Sequence, residues 1–124
     1  MQSKAITPAS VPAVASFYSP AVLAEGAQML FVSGQVPRDL DRDSETKVRQ
    51  TFEQIGTLLD EAGATWRNIV MVRAYFLNMA RDLPMFRKVR QEFLVEPYPA
   101  LTSVGVTELA VAGLDVEIEA VAIL

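Results

Sequence analysis

The chain has 124 residues, 51% of them hydrophobic, and a formal net charge of −4, which fits one domain with one real core. It contains no His and no Cys, so disulfides, thiolate chemistry, Ser-His-Asp triads and the usual zinc sites are excluded. The acidic balance and scattered Lys and Arg speak against nucleic acid as a partner, and no apolar stretch reaches membrane-spanning length.

Residues 1–20 hold three prolines and four serines, the composition of an extended arm with one short strand near Lys4–Thr7. Pro8, Ser10 and Pro12 break the charged-then-apolar layout of a signal peptide, so the cytoplasm is the expected compartment. Ala27–Val36, AQMLFVSGQV, is a strand candidate whose apolar run ends at Ser33-Gly34. In the next segment Val48, Phe52, Ile55, Leu59 and Ala62 recur at steps of four and three, the stripe of an amphipathic helix. Asp43 or Ser44 caps its start, and Gly63 closes it.

NIVMVRAYFLNM reads as a strand, with Val70, Val72, Ala74 and Phe76 on one face and Met71, Arg73, Tyr75 and Leu77 on the other. Asp82 is the expected cap of a second helix, with Pro84 in its first turn, Phe86, Val89 and Phe93 on its buried edge, and Pro97 and Pro99 as its stop. Two strands finish the chain, near Leu101–Thr107 and Leu114–Leu124. The order β-β-α-β-α-β-β predicts one α+β domain spanning 1–124, with two helices on one face of a mixed sheet and hairpins at its first and last strand pairs. Met71, Tyr75, Leu77, Val121 and Ile123 then lie where the helices cannot cover them, which predicts a homo-oligomer packed through sheet faces.

Four places invite chemistry. Alternation puts Asp115, Glu117 and Glu119 on one face of the last strand; a carboxylate there is a general acid or base, or simply the polar face of an edge strand. Arg73, among apolar neighbours, either clamps a substrate carboxylate or pairs with Glu117 or Glu119. Tyr18, in the arm, either points its hydroxyl into a cleft or packs as an anchor. Ser33-Gly34-Gln35 ends a strand where a ligand can approach bare backbone, or is a plain turn. No Asp/Asn ladder of the calcium-loop type is present, and no metal is expected.

Together the segments FYSPAV, LFVSGQVP, YPALTSVGVTEL and VEIEAVAIL resemble the reactive-intermediate deaminase (Rid, or YjgF-like) superfamily, from about Tyr18 to Leu124. The resemblance implies a chorismate-mutase-like fold and a homotrimer whose three sheets form an inner barrel, with three clefts between subunits. It also implies hydrolysis of enamines and imines, such as 2-aminoacrylate and 2-iminopropanoate, with release of ammonia and with no metal or cofactor. The family's site uses an arginine after Pro-Ala, a tyrosine in the arm, the backbone of the SGQ glycine and the first glutamate of the EIE run.

Carried over by position, the catalytic residues are Glu117 and Tyr18, and the substrate-binding residues are Gly34, Ser33, Leu101, Ser103, Phe17 and Arg73. Leucine stands at 101 where the family has its arginine, and Ser16-Phe17-Tyr18-Ser19-Pro20 replaces the usual Gly-Pro-Tyr-Ser-Gln. Leucine cannot supply the charged hydrogen bond to a substrate carboxylate, a contact of roughly 1.5–3 kcal/mol. The expected substrate is therefore an uncharged or larger imine, enamine or related C–N compound. Two other readings stand beside it. One is a non-catalytic trimer that binds a small metabolite. The other is ribonuclease activity, which the acidic balance and missing His do not support.

Overall fold

The computed structural model describes residues 2–10, 17–26 and 28–124; of the expected arm, 11–16 lie outside the described residues, as does Ala27 at the start of the second expected strand. Six strands and two helices follow in the order β1 (Gln2–Ile6), β2 (Ala21–Glu25), β3 (Met29–Gln35), α1 (Ser44–Glu61), β4 (Ile69–Phe76), α2 (Met79–Arg90), β5 (Ala100–Gly105) and β6 (Val116–Ile123).

α1 forms where the apolar stripe lies. Asp43 caps it by accepting from the Thr46 N–H at 3.1 Å. Gly63 closes it at φ 76°, while the Gly63 and Ala64 N–H groups donate back to the Asp60 and Leu59 carbonyls, a closure that needs a left-handed residue. Val48, Phe52, Ile55 and Leu59 are buried. Ala62, expected to extend the stripe, is the C-cap and is exposed.

α2 starts earlier than expected. Its cap is Asn78, whose side chain accepts from the Arg81 N–H, not Asp82. Asp82 is buried inside the helix, held by the Arg81 guanidinium through two bonds of 2.8 Å. Asn and Asp cap about equally well, and the burial of Asp82 against Arg81 favours the earlier start. Pro84 therefore falls beyond the first turn, where its missing N–H removes one helical bond.

The main sheet has the order β3-β6-β4-β5. β4 and β5 run parallel with α2 as their crossover, and β6 lies antiparallel between β3 and β4. The expected terminal hairpin is thus absent, and β6 is an inner strand, not an edge. The reason is the crossover: α2 sets β5 on one side of β4, leaving the other side to β6. The first expected hairpin is also replaced. β1 pairs with β2 in a separate two-stranded sheet. The sequence does not announce β2, because AVLAE between Pro20 and Gly26 is short and its Ala and Glu are weak strand formers.

Both helices pack on one face of the main sheet, as expected. Val32, Ile69, Val72, Ala74, Phe76, Val116, Ile118, Ala120 and Ala122 form the sheet's share of the core. Phe52 stacks between Phe86 and Phe93, at centroid distances of 5.8 and 5.1 Å. On the other face the register sets Phe31, Val121 and Met71 in one row. Phe31 is 69% exposed and Met29 55%; Met71, Tyr75 and Val121 are half-buried, Leu77 is exposed and Ile123 is buried. Among the described residues no helix is long and apolar enough to cross a membrane.

Candidate functional site

Gly34 and Glu117 lie against each other. The β3–β6 ladder loses register between Val32 and Gln35, and at this irregularity the Glu117 side chain lies against the Gly34 backbone. A β-carbon on residue 34 would stand 2.7 Å from Glu117 Cδ, so a side chain there would oblige the Glu117 carboxylate to swing aside. Glu117 is half-buried, and its carboxylate has no hydrogen bond or ion pair among the described residues.

Glu119 differs. Tyr75 donates its hydroxyl to Glu119 Oε1 at 2.6 Å, and Arg73 donates to the same oxygen at 3.3 Å. The ion pair expected of Arg73 is therefore formed within the chain. The bond to Glu119, then burial and the Glu119 charge, hold the Tyr75 phenol above its ordinary value. Asp115 does not join this row. It precedes β6, and its carboxylate takes Lys47 of α1 at 2.5 Å and Arg81 of α2 at 3.2 Å, contacts on the helix side. Among the described residues no group of three or more His, Cys, Asp or Glu side chains is placed to hold a metal ion.

The arm docks at the opposite edge of the sheet. Ser19 donates its N–H to the Pro99 carbonyl at 2.8 Å and its hydroxyl to the Tyr98 carbonyl, and pairs in parallel with Ala100. Phe17, at φ 55°, occupies a left-handed conformation that costs a non-glycine residue on the order of 1–2 kcal/mol, and its ring packs on Tyr98 at 5.1 Å. Tyr18 is half-buried with the buried Arg90 guanidinium 5.8 Å from its ring centre. Leu101 pairs with Val72, and Ser103 with Ala74. Both therefore share the helix-facing side, where Leu101 packs on the core and the Ser103 hydroxyl is buried without a hydrogen-bond partner among the described residues. Thr102 faces the other way and is exposed.

The structure thus places the expected site residues in two groups, with Arg73 on β4 between them. Gly34, beside Ser33 on β3, meets Glu117 of β6; Phe17 and Tyr18 belong to the arm that docks at the start of β5, the strand that carries Leu101 and Ser103. Glu117 stands on the rung of Tyr75 and Val104, two strands from β5, or about 10 Å, and roughly 13 Å along it from the Ala100 rung where the arm docks. An open groove of about 390 Å³ beside Ser33, lined by Leu30, Phe31, Leu58 and Ala62 among others, runs between the free edge of β3 and the end of α1. Tyr75 is the residue that sequence reasoning passes over; its signal is a hydroxyl two positions from Arg73, which has meaning only once β6 is known to lie alongside.

Residues 8–124 match the family model described as Endoribonuclease L-PSP. The RutC family protein YjgH of Escherichia coli (strain K12) is 36% identical over 110 residues, covering 85% of this chain and 81% of its own. A 2-iminobutanoate/2-iminopropanoate deaminase of Dermatophagoides farinae is 27% identical over 113 residues, 86% of this chain and 85% of its own. Among solved structures, the Rid-family protein YyfB of Yersinia pestis aligns over 100% of both chains with a TM-score of 0.85 at 26% identity. The SGQ turn with its overlying glutamate, the docked arm and these matches agree, and the chain belongs to the Endoribonuclease L-PSP family, the YjgF or Rid superfamily.

Proposed function

We propose that this chain is a hydrolase of the deaminase kind, acting without a cofactor on a reactive imine, enamine or related C–N compound other than a small 2-imino acid. The observation that carries this reading is the Glu117 carboxylate lying over bare Gly34 backbone, uncommitted among the described residues. Its chemistry is addition of water to C=N. Glu117 takes a proton from the water as its oxygen bonds to carbon, and that proton passes to nitrogen to give a carbinolamine. The hydroxyl then yields its own proton, by way of Glu117, to the nitrogen as C=O forms and the C–N bond breaks, leaving a carbonyl compound and ammonia. An enamine first takes a proton on carbon to become the imine.

The separation of the two groups of residues favours a cleft shared between copies, in which Phe17, Tyr18 and Leu101 of one subunit close over Ser33, Gly34 and Glu117 of another. A homotrimer with its open sheet faces inward fulfils this and covers Phe31 and Met29. Leu101 and Phe17 present apolar surface where an anion would need a cation, which favours uncharged or bulkier substrates.

The test measures ammonia release from 2-iminopropanoate, from its longer apolar homologues and from uncharged imines, with wild type and Glu117→Gln side by side. The expected result is turnover of an apolar or uncharged compound in preference to 2-iminopropanoate, reduced about 10²–10⁴-fold by Glu117→Gln. Equal rates in the two proteins on every compound would overturn the role of Glu117. Saturable binding with no turnover of any of them would leave the chain a metabolite-binding protein.

A further inference from the structure

Four side chains on the open face stand at the corners of one rectangle. On β4 they are Arg73 and Tyr75; on β6 they are Glu119 and Glu117, with Arg73 opposite Glu119 and Tyr75 opposite Glu117. Partners on one rung have β-carbons about 5 Å apart, and diagonal neighbours lie about 7–8 Å apart, within reach of arginine and tyrosine alike. The arginine fork carries five donors, enough to serve two carboxylates. Here one diagonal is already taken. Tyr75, although opposite Glu117, sends its hydroxyl to Glu119 at 2.6 Å. By register the diagonal from Arg73 to Glu117 crosses the one that Tyr75 takes to Glu119.

We propose that Tyr75 is a positioning residue for Glu117: by bonding Glu119 it bars Arg73 from the second carboxylate and leaves Glu117 turned to Gly34. Among the described residues no other ionisable group on the adjoining strands competes for Glu117. β3 offers Ser33, Gly34 and Gln35; beyond β4, β5 offers Thr102 and Val104; Asp115, earlier on the same chain, is held by Lys47 and Arg81. Within one chain the charged neighbours of Glu117 on these two strands are thus Arg73 and Glu119, and Tyr75 decides which carboxylate receives the guanidinium. The functional meaning of this arrangement rests on the hydrolase reading, because a base bonded to arginine is a poor proton acceptor. The barrier itself is measurable without turnover.

The experiment is a carbon-13 NMR titration of the Glu117 carboxyl in the intact protein. In Tyr75→Leu the Glu117 signal should titrate lower than in wild type by about one pH unit, the effect of an opposite charge brought within bonding range. Adding Arg73→Gln to that variant should return it to the wild-type position. Tyr75→Met, flexible and without a hydroxyl, repeats the test if the leucine variant does not fold. A folded variant whose Glu117 titrates as in wild type would overturn the inference, and so would a displacement that persists after Arg73→Gln. Titrations that behave as stated in a protein that turns over no substrate sink the hydrolase reading alone. Turnover with unmoved titrations sinks this inference alone.

Discussion

Along β6, Val116, Ile118, Ala120 and Ala122 turn to the helices and are each no more than 4% exposed, whereas Glu117, Glu119 and Val121 between them turn to the open face and stay half-buried. One strand, alternating by single residues, therefore serves under two sets of constraints. The helix-facing residues are held by volume, since a close-packed interior registers every methylene. The others are held by pairing, a phenol and a guanidinium on one carboxylate and bare backbone under the next. The first set makes the sheet; the second can change its chemistry without unmaking it. The same division separates the edges of the sheet, where β3 carries Gly34 beneath Glu117 and β5 packs the half-buried Leu101 against the core.

The contrast breaks most sharply at Phe52. Fully buried and ringed by Trp66, Phe86 and Phe93, it should lose about 3–5 kcal/mol on Phe52→Ala, read from urea unfolding. A loss below about 1 kcal/mol would mean that the helix face is less constrained than its packing implies. Phe31, on the open face, should behave otherwise. Phe31→Ala should leave the stability of a single chain within about 0.5 kcal/mol of wild type, yet abolish association and with it the rise of the unfolding midpoint with protein concentration. Sedimentation of the two proteins decides the point. A variant that assembles like wild type removes β3 from the proposed interface.

What the sequence makes legible follows the same division. α1 is legible but for the last residue of its stripe, Ala62, because the stripe, a cap at Asp43 or Ser44 and the Gly63 closure all lie within one segment and agree. α2 is read with the wrong start, because two good caps stand four residues apart and only tertiary burial of Asp82 separates them. Strand pairing is less legible still: alternation tells which residues share a face but not which strand lies alongside. Glu117 and Gly34 are each visible in their motifs, but the contact between them exists only because β6 lies against β3. Alternation likewise reads Tyr75 as one more apolar side chain of an uncovered face. It also groups Asp115 with Glu117 and Glu119, although the strand begins one residue later and the helices claim Asp115.

Asp115 provides the smallest and most discriminating test, because it tells charge from volume at the boundary between the two faces. Its hydrogen bond to Lys47 holds its carboxyl below the ordinary value, opposed by burial and assisted by Arg81. A carboxyl depressed in the folded state adds stability that is fully present above its unfolded value, near 3.9, and is lost as the pH falls through the folded value. Asp115→Asn should therefore be less stable than wild type at pH 7, by on the order of 1 kcal/mol for a pair with one partly exposed member. That gap should close as the pH drops below about 4. Urea unfolding of both proteins at several pH values measures it. A gap that does not vary with pH would place Asp115 with the packed residues, held by its shape; a closing gap places it with the paired ones, held by its charge.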